Sequence, residues 1–159
     1  MKIIFFGTPI FAANTLQYLL DNNQKVIGVV TAPDSRKGRG NLKKPCAVKE
    51  IALANNILIL QPEKLKSKDF TKKLKDLHAD IFVVVAFRML PQSVWKTPKK
   101  GTINLHASFL PNYRGAAPIN WVLINGEKKT GISTFFINEH IDSGAIIQQK
   151  EMVLHQVEL

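Results

Sequence analysis

Hydrophobic and polar positions fall into short blocks with two distinct periods along the chain, one suited to strands and one to helices. Residues 2–6 form an apolar run of β type that Gly7 interrupts. Thr8 is placed to cap the next helix, and Pro9 suits its first turn. Ala12, Leu16, Leu19 and Leu20 recur at helical spacing, which predicts an amphipathic helix over 9–21, ended by Asp21, Asn22 and Asn23. A second strand over 25–31 completes a βαβ unit, whose crossover should be right-handed. Further on, the pattern predicts a helix over 48–55 and a strand over 57–60. Ser67 is a candidate cap for a helix carrying Phe70, Leu74 and Leu77 at i, i+4 and i+7. Residues 81–87 are almost wholly apolar, as in a parallel strand buried on both faces. A strand over 102–105, a helix over 118–124 and a turn at Asn125-Gly126 follow, then strands over 131–137 and 145–150. With no internal repeat or low-complexity linker, this is an α/β chain with a doubly wound, mostly parallel sheet.

The breaks between these elements carry further information. The first turn, Gly-Thr-Pro-Ile-Phe-Ala, lacks the second and third glycines of a dinucleotide-binding loop. Bulky Phe11 stands where a pyrophosphate would need close backbone approach, so that reading is rejected. Residues 32–46 hold two prolines and two glycines, which argues against regular structure. Six basic residues and no acidic one lie between Arg36 and Lys49. That segment is either a solvated loop or a contact for a polyanion. Six more lysines between Lys64 and Lys75 read as a solvated helix face.

Length and composition set outer bounds. A chain of 159 residues suggests one domain with a core that needs no staples. Its 45% hydrophobic and 21% charged residues are ordinary for a globular protein. Cys46 is the single cysteine and cannot form an internal disulfide, which fits a reducing compartment. No signal-like or membrane-length apolar run is present, so a cytoplasmic protein is expected. The formal charge of +10 favours a polyanionic partner.

The densest chemistry lies in residues 103–120. Asn104 and His106 are two apart on the expected strand, so both side chains leave it on one face. An amide beside an imidazole offers a donor, an acceptor and a group that carries a proton near neutral pH. The loop that follows, with Ser108, Pro111, Gly115 and Pro118, puts the pair at a carboxyl end, where open α/β sheets bind ligands. Taken alone, such a pair is more often structural than catalytic.

The surrounding residues change that balance. Asn-Leu-His-Ala-Ser-Phe-Leu-Pro followed by Tyr-Arg-Gly-Ala-Ala-Pro-Ile-Asn-Trp resembles the signature of the folate-dependent formyltransferases. Ile141-Asp142-Ser143-Gly144 resembles that family's second motif. The likeness runs from Ile-Ile-Phe-Phe-Gly-Thr-Pro to about Lys150 and is nearest to the amino-terminal domains of methionyl-tRNA formyltransferases.

The resemblance implies a Rossmann-like formyltransferase fold. It also implies transfer of a formyl group from 10-formyltetrahydrofolate to the amino group of initiator methionyl-tRNA. Formyl transfer to an amine passes through a tetrahedral oxyanion and needs a donor to that oxygen, a route for the amine proton and a dry pocket. Asn104 and His106 would serve the oxyanion and the proton, with Asp142 orienting His106 and favouring its charged form. No metal is required, and His78, His140 and His155 lack ligand spacing. The folate pocket would draw on Phe87, Arg88, Met89, Leu90, Ser108, Phe109, Leu110, Pro111 and His140. Near Phe87 and Arg88 the family usually has a tyrosine and a glycine, so the chain departs from it there.

The basic segment matches the family's inserted loop, which approaches the acceptor end of the tRNA; Arg36, Lys37, Arg39, Lys43 and Lys44 are the expected contacts, Arg39 foremost. The loop is expected to order only on RNA binding. The resemblance also suggests a cis peptide between Leu110 and Pro111. Residues 1–159 would be a catalytic domain incomplete at its carboxyl end, without the family's barrel-type second domain, and monomeric. Two alternatives remain: a formyltransferase for an amino-sugar nucleotide or other small amine such as glycinamide ribonucleotide, and a silent RNA-binding module.

Overall fold

The structure, a computed structural model, describes residues 1–36 and 43–154. They fall into two compact units, one ending at Thr102 and one beginning at Ile103. Among the described residues no helix is long and apolar enough to cross a membrane.

The first unit is a parallel α/β layer. Its main strands are β1 (Lys2–Gly7) and β2 (Lys25–Val30); β5 (Leu58–Leu60) and β6 (Ile81–Val85) join them later in the chain. The strand order is β5-β2-β1-β6, and all three pairings are parallel. The sheet therefore grows from β1 in both directions, which makes it doubly wound as expected and sets a switch point between β1 and β6. Ile4, Phe5 and Phe6 of β1 and Phe82 and Val85 of β6 are fully buried. Buried apolar side chains of this size each contribute about 1.5–3 kcal/mol.

Helix α1 (Ile10–Asp21) buries Ala12, Ala13 and Leu16, and α2 (Ala47–Ala54) buries Val48 and Ala52. Helix α3 (Lys68–Asp76) buries Phe70 and Leu74. Its lysine-rich side is solvated as expected, with exposed pairs Lys72–Asp76 and Lys73–Asp69. Ser67 caps α3 through Phe70 N–H at 3.2 Å.

Thr8 does not cap α1, contrary to the sequence reading. Pro9 is the N-cap, and the Thr8 hydroxyl turns to β2's end, where Ala32 N–H donates to it at 3.3 Å. Gly7 is needed for packing rather than for phosphate. A Cβ there would sit 2.6 Å from the Ala12 Cβ and 3.0 Å from the Val85 carbonyl.

The segment 32–46 also differs from expectation. Two-residue strands β3 (Ser35–Arg36) and β4 (Lys43–Lys44) pair antiparallel, with Arg36 opposite Lys43. Propensity gives no hint of such a ribbon, because it needs only two backbone pairs and no apolar face. Lys37 and Arg39 lie outside the described residues, as does the expected ordering of this loop on RNA. The short helix α4 (Gln92–Trp95) was also not foreseen, being too short to show a period.

The second unit is antiparallel. Strand β7 (Thr102–His106) pairs with β8 (Lys129–Phe136), which pairs with β9 (Ile146–Val153). Helix α5 (Pro118–Ile124) has the bounds that the sequence predicts and buries Val122.

Candidate active site

Strand β7 places Asn104 opposite Phe135 and His106 opposite Ser133. The two residues share a face, as their spacing requires. Asn104 is half-buried, and His106 is 7% exposed. After β7 the chain turns through Ser108–Pro111, with a cis Leu110–Pro111 peptide as expected.

Two polar residues that sequence reasoning missed hold this turn. The buried Ser133 hydroxyl donates to Ser108 O at 2.7 Å and accepts Leu110 N–H at 3.1 Å. Gln149 Nε2 donates to Leu110 O at 2.8 Å and to Ser133 Oγ at 2.9 Å. A serine and a glutamine on ordinary strands carry no local signal for such a task. The Phe109 ring lies against Gly131, where a Cβ would come within 2.8 Å of it.

His106 is held from both sides. Its Nε2 is 2.8 Å from Tyr113 O. A carbonyl only accepts, so Nε2 carries hydrogen. Its Nδ1 faces Asp142 Oδ2 at 3.7 Å. That is an ion-pair separation, too long for a direct hydrogen bond. The same Oδ2 accepts Gly115 N–H at 2.8 Å, and Arg114 Nε donates to the Asp142 carbonyl at 3.1 Å. A proton arriving on Nδ1 therefore meets a fixed negative charge, while Nε2 keeps its own hydrogen on the carbonyl.

The loop that brings Asp142 in is itself constrained. Asp142 adopts a left-handed φ of 46°, a conformation that aspartate tolerates better than most residues. Gly144 must be glycine, because a Cβ there would overlap the Phe136 carbonyl. The motif Ile-Asp-Ser-Gly thus combines a charge with the close backbone approach that delivers it.

A family model described as formyl transferase matches residues 1–158. The chain belongs to the formyl transferase family. It is 56% identical to a methionyl-tRNA formyltransferase of Flavobacterium johnsoniae over 99% of this chain and 50% of that protein. It is 50% identical to one of Clostridioides difficile over 98% of this chain and 51% of that protein. The chain spans about half the length of the curated relatives it matches. Among solved structures, phosphoribosylglycinamide formyltransferase of Bacillus halodurans superposes with a TM-score of 0.79 at 18% identity, over 100% of this chain and 83% of that one. A sugar 3N-formyl transferase solved with dTDP and 5-N-formyl-THF gives 0.66 at 24% identity, over 97% and 52%. These two likenesses bear on the fold, which is the Rossmann-like α/β fold of formyl transferases.

The remaining residues expected at the site are spread over both units. In the first, Phe87–Leu90 leave β6 beside the switch point, and the Phe87 ring packs edge-on against Phe6 at 5.7 Å. Met89 is 74% exposed and Leu90 is buried. Arg88 is engaged locally: its guanidinium donates to Pro62 O and Glu63 O and lies 5.2 Å above the Phe87 ring. In the second, the buried Ser108 hydroxyl donates to Asn112 O, and Leu110 is 3% exposed. Pro111 and His140 are exposed. Lys44 is exposed on the ribbon. Among the described residues no cluster of His, Cys, Asp or Glu could hold a metal; His155 lies outside them.

Proposed function

We propose that this chain is the catalytic domain of an enzyme that moves the formyl group of 10-formyltetrahydrofolate to the amino group of methionyl-tRNA. The observation that carries the reading is His106, hydrogen-bonded through Nε2 to Tyr113 O and turned through Nδ1 to Asp142, on the strand face that also bears Asn104. Asn104 donates its amide N–H to the formyl oxygen as that oxygen gains negative charge. His106 takes at Nδ1 the proton that the attacking amine loses, and Asp142 stabilises the resulting imidazolium. As the new C–N bond forms, the bond from the formyl carbon to the folate nitrogen breaks, and that nitrogen takes up the proton that His106 holds. Each of these steps uses a side chain whose chemistry suits it and needs no metal.

For the folate itself, Phe87 and Met89 offer an aromatic and a flexible apolar surface at the carboxyl end of β6, where doubly wound sheets bind ligands. Ser108 and Leu110 are buried and internally bonded, which suits shaping the turn rather than touching a ligand. Phe109, Pro111 and His140 keep surface for contact. The names of the curated relatives and the basic segment support tRNA as the acceptor. Arg36, Lys37, Arg39, Lys43 and Lys44 would meet its phosphates. The enzyme would work as a cytoplasmic monomer, residues 1–159 acting together with the rest of a longer protein.

The test offers labelled 10-formyltetrahydrofolate to the whole protein with charged methionyl-tRNA, an amino-sugar nucleotide or glycinamide ribonucleotide. Label on methionyl-tRNA is the expected result. Label on a small amine instead, or on nothing, overturns the assignment.

A further inference from the structure

We infer that Tyr113, anchored by Glu127 and Asn125, is a positioning residue that fixes which ring nitrogen of His106 carries hydrogen. The inference rests on the reading of His106 as proton acceptor given above. The tripeptide Tyr113-Arg114-Gly115 grips both members of the His106–Asp142 pair. Tyr113 supplies the carbonyl that accepts His106 Nε2–H, and Gly115 supplies the N–H that Asp142 accepts.

This grip depends on an unusual backbone. Tyr113 has φ 57° and Gly115 has φ 90°. Glycine adopts such an angle freely, whereas an aromatic residue does so only when other contacts hold it there. The contacts lie at the far end of its side chain. The Tyr113 hydroxyl donates to Glu127 Oε1 at 2.6 Å and accepts from Asn125 Nδ2 at 3.0 Å. A bond to a carboxylate at that distance is of the charge-assisted, stronger kind. Glu127 also pushes the Tyr113 phenol pKa up, so the hydroxyl keeps the hydrogen it donates.

Asn125 and Glu127 flank Gly126 in the turn that ends α5. Their own backbone N–H groups are tied to Trp121 O and Val122 O, and Val122 is buried. The anchor therefore runs from the end of α5, through the phenol ring, to the carbonyl that orients His106. Loss of the phenol hydrogen bonds would free that carbonyl to turn, and Nε2 would lose the acceptor that keeps its hydrogen in place.

The experiment is ¹⁵N NMR of histidine side chains in the whole protein, paired with steady-state kinetics. The variants are Tyr113→Phe and Glu127→Ala, with Glu127→Gln as the conservative control. His106 is assigned by the loss of its signals in His106→Gln, and a cooperative denaturant transition with the wild-type far-UV circular dichroism spectrum reports that each variant is folded. Wild type is expected to show hydrogen on Nε2. Tyr113→Phe and Glu127→Ala are expected to mix the tautomers and lower kcat by roughly 10- to 100-fold, with KM for the formyl donor little changed. Glu127→Gln keeps an acceptor and should behave as wild type. His106 signals that stay unchanged in both disrupting variants overturn the proposal, as does a kcat that does not move when the tautomers mix. A wild-type protein that forms no formyl product sinks the formyl-transfer reading instead, and the tautomer measurement still decides the role of Tyr113.

Discussion

At the scale of single residues, the site turns on a carboxylate that is close to His106 without being bonded to it. The 3.7 Å between Nδ1 and Asp142 Oδ2 leaves Nδ1 without a direct hydrogen bond to the carboxylate that faces it. Asp142→Asn keeps an oxygen for Gly115 N–H and removes the charge. Turnover should fall by about 10²-fold or more, as it should in His106→Ala. An Asp142→Asn enzyme with wild-type kcat would count against the proton route. Gly144 makes a different prediction, about stability. Because a Cβ there overlaps the Phe136 carbonyl, Gly144→Ala must shift the backbone. A loss of roughly 1–3 kcal/mol is expected from such overpacking, read as a lower midpoint in denaturant. An unchanged midpoint would show that the loop relaxes without strain.

At the scale of elements, the basic segment is where the proposed tRNA contact can be tested apart from folding. Its ends are joined by the β3–β4 ribbon, and its base is tied down by Lys49, which bonds Asp34 at 2.5 Å and Gln61 at 2.9 Å. Substitution within the segment should therefore leave the parallel sheet intact. Arg39→Ala removes a planar fork that can grip a phosphate with two hydrogen bonds. It should lower formylation of charged tRNA much more than it lowers folate affinity. The two are measured on the same preparation of the whole protein, and a parallel fall in both would tie the segment to the fold or the folate instead. Helix α3 makes a purely structural prediction. Ser67→Ala, which removes its cap, should cost about 1 kcal/mol in denaturant unfolding, whereas its exposed Lys–Asp pairs are worth little. A Ser67→Ala protein as stable as wild type would mean that packing of Phe70 and Leu74 alone fixes the helix start.

At the scale of the whole molecule, acid stability has an identifiable source. The Asp80 carboxylate accepts Lys2 N–H at 2.5 Å, and Asp80 N–H donates to Lys2 O, so the start of β1 is bonded to the residue before β6. That backbone bond, helped by nearby positive charge, holds the Asp80 carboxyl below its ordinary pKa. The bond to Lys72 does the same for Asp76. A carboxyl whose pKa is depressed on folding lends stability that is complete above its unfolded value of about 3.9 and is lost as pH falls through the folded value. The wild type should therefore weaken below about pH 4, and Asp80→Asn should flatten that part of the curve while being less stable at neutral pH. Denaturant midpoints across pH 2–7, as a range of about five units around the titration, check both signs. Identical curves would remove Asp80 from the account. The net charge of +10 acts over longer distances and should make tRNA binding weaken steeply with added salt.

The sequence by itself determined the strands and helices with a clear period, down to the bounds of α5, because apolar spacing and Pro or Gly punctuation are local. It placed Asn104 and His106 on one face, since two residues two apart on a strand have no other choice. It also carried the motifs that mark the family, including the loop with Asp142 and the cis bond before Pro111. Tertiary structure alone decided which groups meet. The 3.7 Å approach of Asp142, its bond to Gly115 and the support from Ser133 and Gln149 join residues distant in sequence, and Tyr113 reaches His106 only because the loop between them folds back. Thr8 shows the same limit from the other side: as a residue it suits a helix cap, yet its hydroxyl went to β2's end because the parallel pairing of β1 with β2 brought Ala32 N–H within reach. Local propensity fixes what a residue offers; the backbone approach permitted at Gly7, Gly131 and Gly144 fixes what it is offered to.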